Sequence, residues 1–109
     1  MTVTVRDLAH ARAGDKGNRV NVSVIAYDGA GYERLLRELT EARVMAAFLP
    51  VAEGPVRRYE LARLGAMNFV IENMRGGSVT RTTALDIHGK SLSALMLSIR
   101  LFGNQPESP

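Results

Sequence analysis

The sequence has 109 residues, of which 46% are hydrophobic and 23% charged, and this is the size and composition of one globular domain. It contains no cysteine, which excludes disulfides, thiolate metal sites and cysteine nucleophiles. The net charge of +3 is too small to indicate nucleic-acid binding by itself. No signal peptide and no apolar run of membrane-spanning length is visible, so we expect a cytoplasmic protein with no membrane partner.

The N-terminal third predicts two paired strands. Residues 2–13, "TVTVRDLAHARA", read as the first strand, and residues 19–27, "RVNVSVIAY", read as the second. Val20, Val22 and Val24 alternate with polar positions, which is typical of a strand with one buried face. The intervening "GDKGN" at 14–18 is rich in turn-forming residues, so the two strands are expected to form a hairpin.

The middle of the chain predicts two short helices with a bend between them. Asp28 is a suitable N-cap, and a helical apolar stripe follows at Tyr32, Leu35, Leu36 and Leu39. The phase of the pattern breaks near Thr40. A second stripe then comprises Val44, Ala47 and Phe48, and Pro50 ends it.

The C-terminal half predicts a strand, a helix, a strand and a final helix, at 54–64, 65–77, 78–89 and 91–102. Met67, Val70, Ile71 and Met74 have helical spacing, so we favour a helix at 65–77, although "NFVI" alone is compatible with a strand. The order β-β-α-β-α-β-α predicts an α+β domain over 1–102, with one four-stranded sheet and helices on one face. Residues 103–109 are expected to form a flexible tail.

The stretch "HARAGDKGNR" at 10–19 is the strongest candidate for a functional loop. His10 and Arg12 are two apart on a strand and therefore face the same side. Gly14 and Gly17 bracket Asp15 and Lys16, so exposed backbone N–H groups and a cation can form an anion-binding concavity there. The alternative is a polar turn in which Asp15 hydrogen-bonds to its own backbone.

Other chemistry has weaker support in the sequence. The two histidines, His10 and His88, lack metal-ligand spacing, so neither a metal site nor a cofactor is expected. No serine lies in a nucleophile-elbow motif. "RGGSVTR" at 75–81 is a second glycine-rich turn, which contributes Arg81. Four arginines form a basic patch if their strands are adjacent, or else lie on ordinary solvated edges: Arg57, Arg58, Arg63 and Arg81.

Two blocks of the sequence resemble the AtuA-like domain, the C-terminal region of acyclic terpene utilisation proteins. "LAHARAGDKGNRVNVSVIA" is similar to the signature of that family, at His10, Arg12, Gly14, Asp15, Lys16, Gly17 and Asn18. Residues 54–92 resemble its later segment. The resemblance implies a ferredoxin-like fold and an association with acyl-CoA and with acyclic terpenoid or branched-acid breakdown. It also implies that the 10–18 stretch is a site rather than a turn.

Three functional hypotheses follow. The first is an accessory, ligand-binding domain in which Arg12, Gly14, Asp15, Lys16, Gly17, Asn18 and Arg81 hold a small anionic acyl or acyl-CoA-type ligand. The second is an enzyme acting on an acyl thioester or enoyl substrate, with His10 as general acid–base. The third is a structural subunit that docks a separate large-domain protein through its sheet. A homo-oligomer is expected in the first case.

Overall fold

The computed structural model describes residues 3–75 and 90–101. Its N-terminal part comprises β1 (Val3–Thr4), α1 (Val5–Leu8), β2 (Ala9–Lys16) and β3 (Arg19–Ala26). The rest comprises α2 (Gly29–Glu38), α3 (Glu41–Phe48), β4 (Val56–Leu61), a 3-10 turn (Ala62–Leu64), β5 (Ala66–Ile71), α4 (Lys90–Leu97) and β6 (Arg100–Leu101). None of the helices within these ranges is long and apolar enough to cross a bilayer.

The main sheet has four antiparallel strands in the order β2-β3-β5-β4. The short strands β1 and β6 pair separately, with Val3 opposite Leu101. The predicted α+β, ferredoxin-like domain with a four-stranded sheet is confirmed. Two of the predicted strands, in β3 and β4, lie in this sheet with the expected alternation. The strand predicted at 78–89 lies outside the described residues, as does the tail predicted at 103–109.

The predicted hairpin is confirmed, but its loop is shorter than expected. β2 and β3 pair without interruption from Ala9 opposite Ala26 to Lys16 opposite Arg19. Only Gly17 and Asn18 remain for the turn, and Gly17 has φ +64, a conformation that favours glycine at the first position of a two-residue hairpin. Gly14, Asp15 and Lys16 therefore belong to the strand, and the expected glycine-bracketed concavity of backbone N–H groups is wrong.

The core lies between one face of the sheet and the helices. Val20, Val22 and Val24 of β3 point to this side, together with alternate residues of β5. Successive side chains of a strand point to opposite faces, so the intervening residues lie on the other side of the sheet. The helices, with Leu39 at the end of α2, contribute apolar side chains to the same buried cluster, namely Tyr32, Leu35, Leu39, Val44, Phe48, Leu92 and Met96.

The predicted helix boundaries in the middle of the chain are confirmed by their caps. Asp28 Oδ1 accepts a hydrogen bond from the Gly31 backbone N–H at 2.8 Å, at the start of α2. Thr40 Oγ1 accepts one from the Arg43 N–H at 3.1 Å, which starts α3. The phase break at Thr40 is thus the junction of two separately capped helices.

The helix predicted at 65–77 is wrong. Ala66–Ile71 forms β5, which pairs with β3 on one side and β4 on the other. Met67, Phe69 and Ile71 are buried, whereas Asn68 and Val70 on the opposite face are partly exposed. Pairing with a strand on each side, of which β3 is distant in the sequence, overrides a local pattern that fits either period.

The two ends of the domain also differ from the expected continuous elements. The first predicted strand is interrupted by α1, where the Asp7 carboxylate accepts hydrogen bonds from the Thr4 N–H at 2.8 Å and from Thr4 Oγ1 at 3.2 Å. The last helix ends at Leu97, because Arg100–Leu101 pairs with β1. The second difference arises from a long-range pairing that a local pattern does not encode, whereas the first rests on the local contact between Thr4 and Asp7.

Candidate functional site on the open face of the sheet

The side of the sheet opposite the helices carries polar and basic side chains, and we call it the open face. It comprises His10, Arg12 and Gly14 of β2, Asn21, Ser23 and Ile25 of β3, Asn68 and Val70 of β5, and Arg57, Tyr59 and Leu61 of β4. Even its side chains on the two central strands keep some exposure to solvent. This face is therefore accessible to a ligand in the described part of the chain.

A groove of about 610 Å³ lies at the end of the open face nearest the β2–β3 turn. Its volume is within the range typical of small-molecule sites. Its lining is contributed by all four strands of the sheet and by the residue that follows β5: Gly14, Asp15, Lys16, Arg19, Asn21, Arg57, Tyr59, Asn68, Val70 and Glu72.

The centre of the groove is built from two carboxamides on adjacent strands. Asn68 lies directly opposite Ser23, and Asn68 Oδ1 accepts a hydrogen bond from Ser23 Oγ at 3.1 Å. Within residues 3–75 and 90–101 no hydrogen bond engages the Asn68 Nδ2 group. A neutral donor is thus available in the groove.

Gly14 gives the second carboxamide its space. Gly14 and Asn21 are cross-strand partners, and a Cβ on Gly14 would lie 3.0 Å from Asn21 Oδ1. Such a separation is tighter than nearly all real Cβ contacts, so a larger residue at this position would displace the Asn21 side chain. The absence of a side chain at Gly14 thus lets Asn21 extend over the neighbouring strand.

The charges around the groove leave an excess of cations. Arg19 Nη1 lies 3.6 Å from Glu72 Oε2, so these two groups neutralise each other. Lys16 and Arg57 line the groove from the two edge strands, and in the described residues neither makes a side-chain hydrogen bond or an ion pair. Asp15 also contributes to the lining, but it is the cross-strand partner of Val20, so its side chain lies on the helix side of β2. Lys16 and Arg57 are therefore two cations on the open face that no carboxylate of the described residues pairs with.

The structure distributes the predicted site residues over several places. Gly14, Asp15 and Lys16 line the groove, whereas Arg12 lies on the same face, level with Asn68. The alternative in which Asp15 makes a turn through its own backbone is wrong, because Asp15 lies in β2 opposite Val20.

The other predicted residues lie away from the groove. Gly17 and Asn18 form the hairpin turn, where the Asn18 carbonyl accepts from the Met74 N–H at 3.0 Å. His10 is exposed and stacks on Tyr27, with ring centroids 5.8 Å apart. Arg81 and His88 lie outside the described residues. The 10–18 stretch therefore supplies one wall of the groove and not a closed loop site.

The predicted basic patch does not form as a unit. Arg57 lines the groove, but Arg58 points to the helix side, where its Nη1 donates to the carbonyls of Leu36 and Leu39 at 3.0 and 2.9 Å. Arg63 lies in the 3-10 turn after β4. A strand places consecutive residues on opposite faces, so these arginines have different surroundings.

Sequence reasoning missed Asn68, Tyr59 and Glu72 as site residues. The helical spacing of Met67 and its neighbours predicts a helix that includes Asn68. The alternation of Met67, Phe69 and Ile71 was the signal that could have revealed a strand with Asn68 on the polar face. Among the described residues no cluster of three or more histidine, aspartate or glutamate side chains could hold a metal ion.

Comparisons with known proteins place the chain in a family. A search of the curated proteins and a search of the solved structures gave no match. The family model of the AtuA ferredoxin-like domain matches residues 3–102, which is nearly the whole sequence. The chain therefore belongs to the AtuA ferredoxin-like domain family.

Proposed function

We propose that this protein is an accessory, ligand-binding domain whose groove holds the negatively charged head of an acyl ligand. The head is a carboxylate or a phosphate of coenzyme A, since both offer only hydrogen-bond acceptors and negative charge. The observation that carries the proposal is the pair of unpartnered cations, Lys16 and Arg57, on the two edge strands that bound the groove. Arg is suited to bidentate contacts with either group.

The width of the sheet allows Lys16 and Arg57 to contact one ligand from opposite edges. β2 and β4 are the outer strands of the four-stranded sheet, so their backbones are about 14 Å apart at an interstrand spacing of about 4.8 Å. The long side chains of Lys16 and Arg57 can therefore close over a small anion between them. Arg12, level with Asn68 on β2, is placed to contact a larger head group.

Apolar side chains farther along the open face support an acyl ligand over a bare anion. Leu61 lies on β4 four residues from Arg57, a distance of about 13 Å along the strand. Tyr59 lies between them and is 51% exposed, Leu61 is 42% exposed, and Leu64 just beyond is 70% exposed. Exposed apolar side chains grouped next to polar ones often mark a binding surface. An alkyl chain leaving the groove parallel to β4 would cover them.

The other two hypotheses receive less support. His10 is absent from the lining of the groove, so the groove does not support the general acid–base hypothesis. Docking of a separate large-domain protein would use the same open face. Failure of the protein to bind any acyl ligand would favour this hypothesis. Neither hypothesis has an observation comparable to the flanking cations.

The proposal is tested by isothermal titration calorimetry with four probes: octanoyl-CoA, free coenzyme A, octanoate and the neutral octanamide. We expect octanoate or octanoyl-CoA to bind and octanamide to bind at least about tenfold more weakly, which corresponds to about 1.4 kcal/mol. Comparison of octanoate with coenzyme A identifies the source of the recognised anion. Lys16→Gln/Arg57→Gln should weaken the anionic probes by about tenfold or more.

A matched control separates local contacts from net charge. Arg6→Gln/Arg37→Gln removes the same two charges from exposed sites on α1 and α2, and should change affinity by less than about twofold. The proposal is overturned if the wild-type protein binds none of the anionic probes. Equal weakening by both double variants would also contradict it, because the effect would then be long-range.

A further inference from the structure

We propose that Ser23 is a positioning residue that sets which end of the Asn68 carboxamide faces the ligand, and so gives the groove its preference for acceptor-only groups. This inference rests on the proposed function, because it concerns the same groove. Ser23 itself is not among the groove-lining residues, so it acts through its neighbour.

The geometry places the two side chains as a direct cross-strand pair. Ser23 of β3 and Asn68 of β5 occupy opposite positions of the antiparallel ladder on the open face. Side chains at such positions are close enough to interact, and here Ser23 Oγ donates to Asn68 Oδ1 at 3.1 Å in a partly buried contact. The carbonyl end of the carboxamide is therefore occupied by a hydrogen bond within the sheet.

The direction of this hydrogen bond determines what the groove offers. A carboxamide has an acceptor end, Oδ1, and a donor end, Nδ2, and in this structure the Ser23 hydroxyl donates to the acceptor end. When the hydroxyl donates to Oδ1, the Nδ2 group remains available as a donor. An anion that accepts from Nδ2 then completes a chain that runs from hydroxyl to carbonyl and from amide N–H to anion. Each hydrogen bond of such a chain polarises the next and strengthens it.

Loss of the Ser23 hydroxyl removes this bias. The Asn68 carboxamide would then be free to turn its Oδ1 towards the groove, where it would repel a carboxylate and accept from a neutral amide. The groove would keep Lys16 and Arg57 but would discriminate less well between an acid and its amide. Selectivity between such probes therefore reports the orientation of Asn68, separately from the charge of the groove.

The experiment is an NMR titration of octanoate and octanamide against the wild-type protein, Ser23→Ala, Ser23→Thr, Asn68→Ala and the Ser23→Ala/Asn68→Ala double variant. We expect Ser23→Ala to weaken octanoate binding about fivefold, the effect of one hydrogen bond, and to leave octanamide within about twofold. Ser23→Thr retains a hydroxyl and should retain the selectivity. The double variant should match Asn68→Ala, because Ser23 acts only through Asn68.

The outcomes separate this inference from the function on which it rests. Absence of octanoate binding by the wild-type protein overturns both. If the wild-type protein binds octanoate but Ser23→Ala binds both probes unchanged, only the positioning role is wrong. Additive losses in the double variant would also overturn it, because they would show that Ser23 acts independently of Asn68. Thermal melts of each variant confirm that the fold is retained.

Discussion

The two faces of the sheet differ in what their polar groups do, and consecutive arginines of β4 show the difference. Arg58 is held on the helix side, where it donates to the carbonyls of Leu36 and Leu39 and pairs with Glu60 at 3.0 Å. Arg57 lies on the open face and, within the described residues, has no partner. One guanidinium stabilises the end of a helix, and the other is available to a ligand.

This difference teaches that a cation acquires its role from the face it occupies. The carbonyls at the end of α2 need donors because the helix offers them none, and Arg58 and Arg43 supply them. Within the described residues Lys16 and Arg57 on the open face make no such contact, so they keep their full capacity for an external anion. Substitutions on the helix side should therefore lower the stability of the protein, whereas substitutions of Lys16 or Arg57 should weaken ligand binding.

The largest expected effect is on the free energy of unfolding, and two adjacent residues of β5 reveal it. Phe69 is fully buried on the helix side, and Phe69→Ala should lower the free energy of unfolding by about 3–5 kcal/mol because it leaves a cavity. Val70 on the open face is partly exposed, and Val70→Ala should lower it by less than about 1 kcal/mol. Urea unfolding followed by circular dichroism measures both. Similar losses of unfolding free energy for the two variants would show that both faces of the sheet are buried, which would contradict an accessible open face.

A smaller effect is expected at the paired arginines. Arg58→Ala should lower the free energy of unfolding by about 2 kcal/mol, because two helix-end carbonyls lose a charged donor. Arg57→Ala should stay within about 0.5 kcal/mol of the wild-type value. Binding of octanoate should show the reverse order, with the loss confined to Arg57→Ala. A stability loss at Arg57 as large as that at Arg58 would contradict the division between the faces.

The elements that the sequence predicts well are those defined by local contacts. The β2–β3 hairpin and the two capped helices rest on neighbouring residues, such as Gly17 in the turn and Asp28 at the start of α2. Met67, Val70, Ile71 and Met74 have helical spacing, so the sequence predicts a helix where the structure has β5. Pairing with β3, which is distant in the sequence, and with β4, which directly precedes β5, decides between helix and strand.

The same limit applies to the candidate site. Gly14 and Lys16 were identifiable because they lie in one conspicuous stretch of the chain. The opposite wall of the groove consists of Arg57, Tyr59 and Asn68, which only the strand order brings next to β3. The orientation of Asn68 depends on a hydrogen bond from Ser23, 45 residues away in the sequence. No local pattern contains that contact.

The most direct test of ligand binding on the open face is an NMR titration of the wild-type protein with octanoate, read from side-chain signals. We expect saturable shifts of the Asn68 and Asn21 carboxamide NH₂ signals and of the Arg57 Nε–H signal, while the Arg58 Nε–H signal stays in place. Shifts of Arg58 without shifts of Arg57, or no saturable shift of any of these signals, would contradict the account.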